Sequence, residues 1–367
     1  MLEGLDAVNW SDLAHAYGSA ADVPAQLRAL LSSDPDTRMR ALWACYGTIV
    51  HQGYRYEAAV PAVPFLLEIV AGGPAETRKE LLELLLTLAV GYDEAWLPEG
   101  FSRARARPVE LACYDAVAAG IPLFTGLLRD DDPAVRRTAA ALLGWFPASS
   151  VGGFPASSVG GFPASSVPAL TALITDPDPE VAATAVLALG LLGAGGPVTA
   201  AFGSADPTVR GAAAIALARL HRAAAPAAVT DELLRWSSGS AGPLRTKIPY
   251  YEGDLSGYAT LALRQVLPDD SEAAFEALLG RLPTVSGLAA LPVVGEALRR
   301  AFLAGPIAPD TPYASLTPRQ QRLVRTLADS PATWQVEGST FASLCLMIAE
   351  YHLPSTHQAM DAYARLF

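Results

Sequence analysis

Asp130-Asp131-Asp132-Pro133-Ala134-Val135-Arg136 returns as Asp176-Pro177-Asp178-Pro179-Glu180-Val181, and again as Ser204-Ala205-Asp206-Pro207-Thr208-Val209-Arg210. An acidic residue followed by proline is the chemistry of a helix start. The carboxylate accepts from N–H groups that the first turn leaves free, and a first-turn proline loses nothing by lacking one. Behind these starts, Val135/Ala139/Leu142/Leu143, Val181/Ala185/Ala188/Leu189 and Val209/Ala213/Ala216/Leu217 recur three and four apart, on one helical face. Self-similarity at a fixed spacing marks stacked helix pairs, and the many alanines let neighbouring helices approach closely.

Asp178 to Asp206 is 28 residues, whereas Asp132 to Asp178 is 46. The excess lies in Phe146 to Val167, which reads FPASSVGG, FPASSVGG, FPASSV; removing two octapeptides restores a spacing of 30. Phe, Pro, Ser and Gly-Gly favour a turning chain, so 146–167 reads as a lengthened surface loop, an insertion that costs little closure entropy. The first helices of the pairs fall at Ile121–Arg129, Pro168–Thr175 and Pro197–Phe202. Looser copies precede them: Pro24–Ser32 with Arg38–Ile49, and Ala62–Ala71 with Arg78–Ala89. Beyond Thr230 the pattern dissolves into less regular helices. Thr317-Pro318 has the form of a capped start there, and Ser355 with Gln358 has capping-box spacing before the last helix.

Half of the 367 residues are hydrophobic (51%), ample for a continuous core, and no second composition regime appears. The economical organisation is one domain over 1–367, with its clearest repeats at 120–222, looser ones at 23–91 and an irregular helical cap at 230–367. A net charge of −11 opposes general attraction to nucleic acid or to an anionic membrane. Cys45, Cys113 and Cys345 are far apart and odd in number, as small buried hydrophobes in a reducing compartment would be. Met1-Leu2-Glu3-Gly4-Leu5-Asp6 lacks the basic head and apolar run of a signal peptide, so a cytoplasmic location is expected. Val181 to Asp206 carries no charge before Asp206 and has the length of a membrane span. Gly193-Ala194-Gly195-Gly196-Pro197 interrupts it, and a buried helix, a turn and a short helix explain it better.

The D-P-x-V-R starts followed by alanine-rich helices, as in Asp132 to Gly144 and Asp178 to Gly190, resemble HEAT repeats of the short bacterial kind named after bilin-lyase HEAT-like proteins. The resemblance is clear over about 120–222 and weaker back to about 23. It implies an all-α fold, a right-handed α-solenoid of stacked antiparallel helix pairs. Families built this way include adaptors, bilin lyases and DNA glycosylases, so the resemblance selects no single function and transfers no catalytic residue.

Departures from the repeat are where function is sought. The first is His51-Gln52-Gly53-Tyr54-Arg55-Tyr56-Glu57, after a helix bearing Trp43 and Tyr46. The second holds Tyr92, Asp93, Glu94 and Trp96, then Arg103, Arg105 and Arg107, which share one side if that stretch is extended. The third is Pro249-Tyr250-Tyr251-Glu252-Gly253-Asp254. Tyr, Trp and Arg supply large contact area with a polar end, as recognition surfaces require; the plainer alternative is aromatics tucked along the solenoid edge. G-x-x-x-x-G-K-[ST], H-E-x-x-H, C-x-x-C and G-x-S-x-G are all absent from the sequence. His352 and His357, five apart across Pro354, read as ordinary surface histidines. No catalytic residue, metal site or cofactor is therefore assigned.

These readings converge on a non-catalytic, cytoplasmic interaction module. It would bind another protein through a concave face and the aromatic loops of its N-terminal half. The candidate binding residues are Trp43, Tyr46, His51, Tyr54, Arg55, Tyr56, Glu57, Tyr92, Asp93, Glu94, Trp96, Tyr250 and Tyr251. The alternative is an enzyme or small-molecule binder with a groove lined by Trp43, Tyr46, Tyr54, Tyr56 and Trp96. A HEAT-like DNA glycosylase fits less well because the charge has the wrong sign.

Overall fold

The computed structural model describes residues 1–91, 101–147, 166–242 and 245–365. The acidic caps act as their chemistry requires. Asp34, Asp132, Asp178 and Asp206 each sit in extended backbone and accept from the N–H groups of the next turn, with proline in the first helical turn. The result is an all-α solenoid of antiparallel helix pairs, whose residues group into two compact units.

The first unit, Met1–Val198 with Ile248–Tyr250, contains α1 (Val23–Ala29), α2 (Pro35–Thr48), α3 (Ala59–Gly72), α4 (Arg78–Val90), α5 (Pro108–Ala118), α6 (Ile121–Leu127), α7 (Pro133–Leu143), α8 (Val167–Leu173) and α9 (Pro179–Leu191). Helices α2, α4, α7 and α9 form one packed row, against which α1, α3, α6 and α8 pair. Burial of Val181 through Gly190 without interruption shows α9 to be a core helix. The short helix α10 (Gly195–Ala201) follows a turn, as the glycine-rich break implies. A Cβ on Gly144 would lie 2.8 Å from Ala188 Cα and 2.7 Å from the Tyr250 hydroxyl, so that close approach needs glycine.

Two antiparallel hairpins also belong to this unit: β1 (Ala14–His15) with β2 (Gly18–Ser19), and β3 (Val50–His51) with β4 (Tyr54–Arg55). The second replaces the loop expected at His51–Tyr54. Gln52 (φ 50°) and Gly53 (φ 81°) are both left-handed, the requirement of a two-residue hairpin turn whose twist matches its strands.

The second unit, Thr199–Lys247 with Tyr251–Phe367, contains α11 (Pro207–His221), α12 (Ala227–Ser237), α13 (Leu255–Val266), α14 (Glu272–Arg281), α15 (Ala290–Ala301), α16 (Pro318–Ala328), α17 (Ala342–Ala349) and α18 (His357–Arg365). A third hairpin, β5 (Gln335–Val336) with β6 (Ser339–Thr340), leads into α17. Helices α11, α13 and α15 pack in a row, with α12 and α14 alongside. Thr317 caps α16 as expected, and Gln320 completes a capping box with it. At the last helix the cap is Thr356 rather than Ser355, its hydroxyl accepting from the Ala359 N–H at 3.2 Å. His352 is exposed, as expected, with Nδ1 2.6 Å from the Ile307 carbonyl oxygen, while the half-buried His357 places Nε2 2.7 Å from that of Ala328.

The arginine of the repeated phrase has a fixed duty. Arg38, Arg136 and Arg210 each reach back to two carbonyls before their own cap: Ser32 and Ser33, Asp130 and Asp131, Ser204 and Ala205, all within 2.8–3.3 Å. Arg136 also pairs with Asp176 of the next turn (2.9 Å), as Arg78 does with Asp130 (2.8 Å) and Arg210 with Glu232 (3.1 Å). One guanidinium thus closes its own turn and clips it to the following pair.

Among the described residues no single helix is long and apolar enough to cross a membrane. The bent pair α5 and α6, with 50° between its halves, passes that test on length and composition only. Cys113, Tyr114 and Val117 of α5 are buried inside the first unit.

Candidate functional site

Strand alternation sends neighbouring residues of β4 to opposite sides. Tyr54 is 57% exposed while Arg55 is 6% exposed. The Arg55 guanidinium donates to the Gly53 carbonyl (3.2 Å), lies 3.6 Å from Glu110 on α5, and occupies the space where a Cβ on Gly91 would stand, 2.0 Å from Nη1. Gly91 itself has φ 66°, so glycine suits this position on both counts.

Glu110 accepts from the Arg107 N–H (2.8 Å) and from its guanidinium (2.9 Å) at the start of α5. The Arg107 guanidinium then lies 5.1 Å from the centre of the Tyr54 ring. Burial works to raise the Glu110 carboxyl. Arg107 and Arg55 together prevail and hold it below the usual carboxylate range. The hairpin is therefore anchored on its inner side by Arg55 and on its outer side by Arg107.

The first hairpin is stitched to the second. The Ala16 N–H donates to the Thr48 carbonyl (3.0 Å), and that of Ala58 to Ala14 (3.1 Å). The Glu57 carboxylate accepts from the Ala14 N–H at 3.3 Å. This brings Tyr17, 71% exposed, to within 5.5 Å of the His51 ring in edge contact, and His51 is the cross-strand partner of Tyr54. Beneath Tyr17, His15 accepts its N–H at Nδ1 (3.0 Å), which leaves Nε2 to donate to Asp22 (3.0 Å). Trp43, 66% exposed, and Tyr46 form a second ring pair 5.9 Å apart on α2, the helix that runs directly into β3. Tyr17, His51 and Tyr54 thus form an aromatic patch on the hairpins with Arg107 at its edge, and Trp43 with Tyr46 a second pair on the helix before β3; Tyr17, Trp43 and Tyr54 are their exposed members.

Not every candidate belongs to it. Tyr56 is half-buried and follows the hairpin, and its N–H donates to Ile49 (3.2 Å). Tyr92, Asp93, Glu94 and Trp96 lie outside the described residues. Arg103 and Arg105 sit in a turn rather than an extended run, and Arg107 is the extended residue before α5: Arg103 pairs with Asp115 (2.5 Å), Arg107 is held by Glu110, and Arg105 is exposed. Tyr250 is buried in the first unit, its hydroxyl donating to the Ala141 carbonyl (3.0 Å) and its ring 6.4 Å from Trp145. Tyr251 belongs to the second unit, where it packs 6.1 Å from Tyr258 and burial raises its hydroxyl pKa. Tyr251, Glu252 and Gly253 all have positive φ, a costly run held by Thr246, which donates twice to the Gly253 carbonyl at 2.9 Å.

Tyr17 and His15 were not among the sequence candidates. The signal available was Gly18, which opens β2 directly after the Ala16-Tyr17 turn between two short strands.

Burial pushes the thiols of Cys45 and Cys113 up to about 12, with Asp22 adding to the rise at Cys45 and Arg55 opposing it at Cys113. Both are thus protonated at neutral pH. Among the described residues no group of three or more His, Cys, Asp or Glu is placed to hold a metal ion.

Residues 122–202 match the family model for HEAT repeats, within the stretch where the repeated phrase is clearest. This segment carries HEAT repeats. Similar solved structures include an engineered protein (20% identity, covering 66% of this chain and 96% of that one, TM-score 0.38). Another is the complex of CpcE and CpcF of phycocyanin lyase from Nostoc sp. (16% identity, 82% and 91% covered, TM-score 0.42). A third is human deoxyhypusine hydroxylase in complex with glycerol (16% identity, 83% and 96% covered, TM-score 0.32). No curated protein matches the chain. The aromatic surface lies outside the matched HEAT repeats, on hairpins that the repeat does not require.

Proposed function

We propose that this chain is an interaction scaffold that holds a partner protein through the aromatic surface of its first unit. The observation that carries the reading is the exposure of Tyr17, Trp43 and Tyr54, the strand of Tyr54 being anchored from behind by Arg55 and Glu110. Exposed Tyr and Trp on a rigid frame offer large contact area at low entropic cost, which is the character of binding hot spots. HEAT repeats support the reading because stacked helix pairs provide stiff platforms for such surfaces.

The test is affinity capture from the native cell with the full chain and with Tyr17→Ser, Trp43→Ser and Tyr54→Ser, singly and together. A partner retained by the wild type should lose about 1–2 kcal/mol or more of binding per hot-spot change. The thermal midpoint should stay within a few degrees, since these side chains are exposed. Full retention of every partner by the triple variant sinks the proposal.

A further inference from the structure

The second unit contains a cleft of about 350 Å³ that the repeat does not account for. Asp269 follows α13, Arg299 lies on α15, Phe302 and Leu303 come just after α15, and Glu350 and Tyr351 just after α17; all six line it. Its walls are tied together. The Phe302 and Tyr351 rings lie 5.4 Å apart, His352 Nδ1 lies 2.6 Å from the Ile307 carbonyl oxygen, and the Gly305 N–H donates to Phe302 at 2.9 Å. The loop after α15 is thereby fastened to the loop after α17, and the cleft is preformed.

Its charges are unequally engaged. Beneath it, Glu296 is fully buried and pairs with Arg264 and Arg299, with Arg300 3.8 Å away. Arg299 donates Nη2 to Glu296 (2.9 Å), and its Nη1 reaches Asp269 (2.5 Å), so both edges of this guanidinium are occupied. The same arginine holds the Asp269 carboxyl below the usual range and hence ionised. Glu350, by contrast, is exposed, and its carboxylate makes no ion pair or hydrogen bond among the described residues; neither does the Tyr351 hydroxyl. A ligand therefore meets one uncompensated carboxylate, the second oxygen of Asp269, the half-buried Tyr351 ring, which Phe302 backs from the core, and Leu303, which is 55% exposed. An anion would face Glu350 with no free arginine to offset it. A cation gains from the carboxylate and from the ring. The net charge of −11 also draws cations toward the chain.

We propose that this cleft binds an alkyl-guanidinium or alkyl-ammonium group, its stem against Leu303 and its charge between Glu350, Asp269 and the Tyr351 ring. The group is the side chain of an arginine or lysine on a protein, or a free polyamine. The site is separate from the aromatic surface of the first unit, and its fate is independent of that reading.

The test is calorimetric titration of the full chain at physiological salt. The probes are Nα-acetyl-arginine methylamide, Nα-acetyl-lysine methylamide and spermidine, with Nα-acetyl-norleucine methylamide as the uncharged control. Saturable binding of a cationic probe, absent for norleucine, is expected. It should weaken about three- to tenfold in Glu350→Gln, an exposed change that leaves the thermal midpoint in place. It should weaken also in Tyr351→Leu, and as salt is raised. Preference for the blocked amino acids identifies a protein side chain as the source; preference for spermidine identifies a free polyamine. No saturable binding of any cationic probe, binding unchanged in Glu350→Gln, or tighter binding of inorganic phosphate than of the cations would each overturn the proposal.

Discussion

Tyr54 and Arg55 are adjacent in one short strand, yet one faces water and the other is sealed against Gly91 and Glu110. Their substitutions should separate accordingly. Arg55→Met leaves Glu110 with less compensation in a largely buried position and should cost about 2–4 kcal/mol in urea unfolding, whereas Tyr54→Ala should cost less than about 1 kcal/mol. Equal losses at the two positions would contradict the anchored hairpin. Glu110 adds a dependence on pH. Its carboxyl is lowered in the fold, so its ionised form contributes stability above the ordinary carboxylate range. That contribution is lost as pH falls through the lowered folded-state value. Glu110→Gln should therefore be less stable than the wild type at neutral pH, and the gap should close in acid. A gap that persists unchanged into acid would mean that packing, not charge, makes the difference.

At the scale of the element, the repeated phrase is a device for starting a helix and clipping it to its neighbour. Asp178 accepts from the N–H groups of Glu180 (2.8 Å) and Val181 (3.4 Å), an ordinary cap, and Asp178→Ala should cost about 1 kcal/mol. Arg136 does more, bonding Asp130 and Asp131 behind it and Asp176 ahead. Arg136→Ala should cost about 2–3 kcal/mol, because charge-assisted bonds between two pairs are lost together. Chemical denaturation of both variants checks the order; a cap worth more than the clip would reverse it. Where α9 has Ala182 at the corresponding position, this contact is absent from the sequence itself, so not every copy carries the clip.

At the scale of the whole molecule, most of the octapeptide array, residues 148–165, lies outside the described residues, while both of its flanks are placed. Trp145 and Phe146 are buried at its start, and Ser166 with Val167 leads into α8 at its end. Deleting residues 146–161 places Phe162-Pro163 directly after Trp145, so the same residue types rejoin both ends. The shortened chain should keep its helical circular dichroism and lose no more than a few degrees of thermal midpoint. A larger fall would give the extra copies a structural task.

The helices and their starts were legible from residues 130–136 and their copies because the causes are local. A carboxylate caps N–H groups two and three residues on, and apolar spacing of three and four marks the face that packs. The aromatic candidates were legible only as residue types. Burial of Tyr250 depends on Ala141 and Gly144, more than 100 positions away, and that of Arg55 on Gly91 and Glu110. Tyr17 meets His51 because hydrogen bonds from Ala16 to Thr48 and from Ala58 to Ala14 bring two hairpins together. Helix starts are chosen by chemistry within one turn of the chain; which aromatic faces water is chosen by what packs behind it, and only the tertiary structure supplies that.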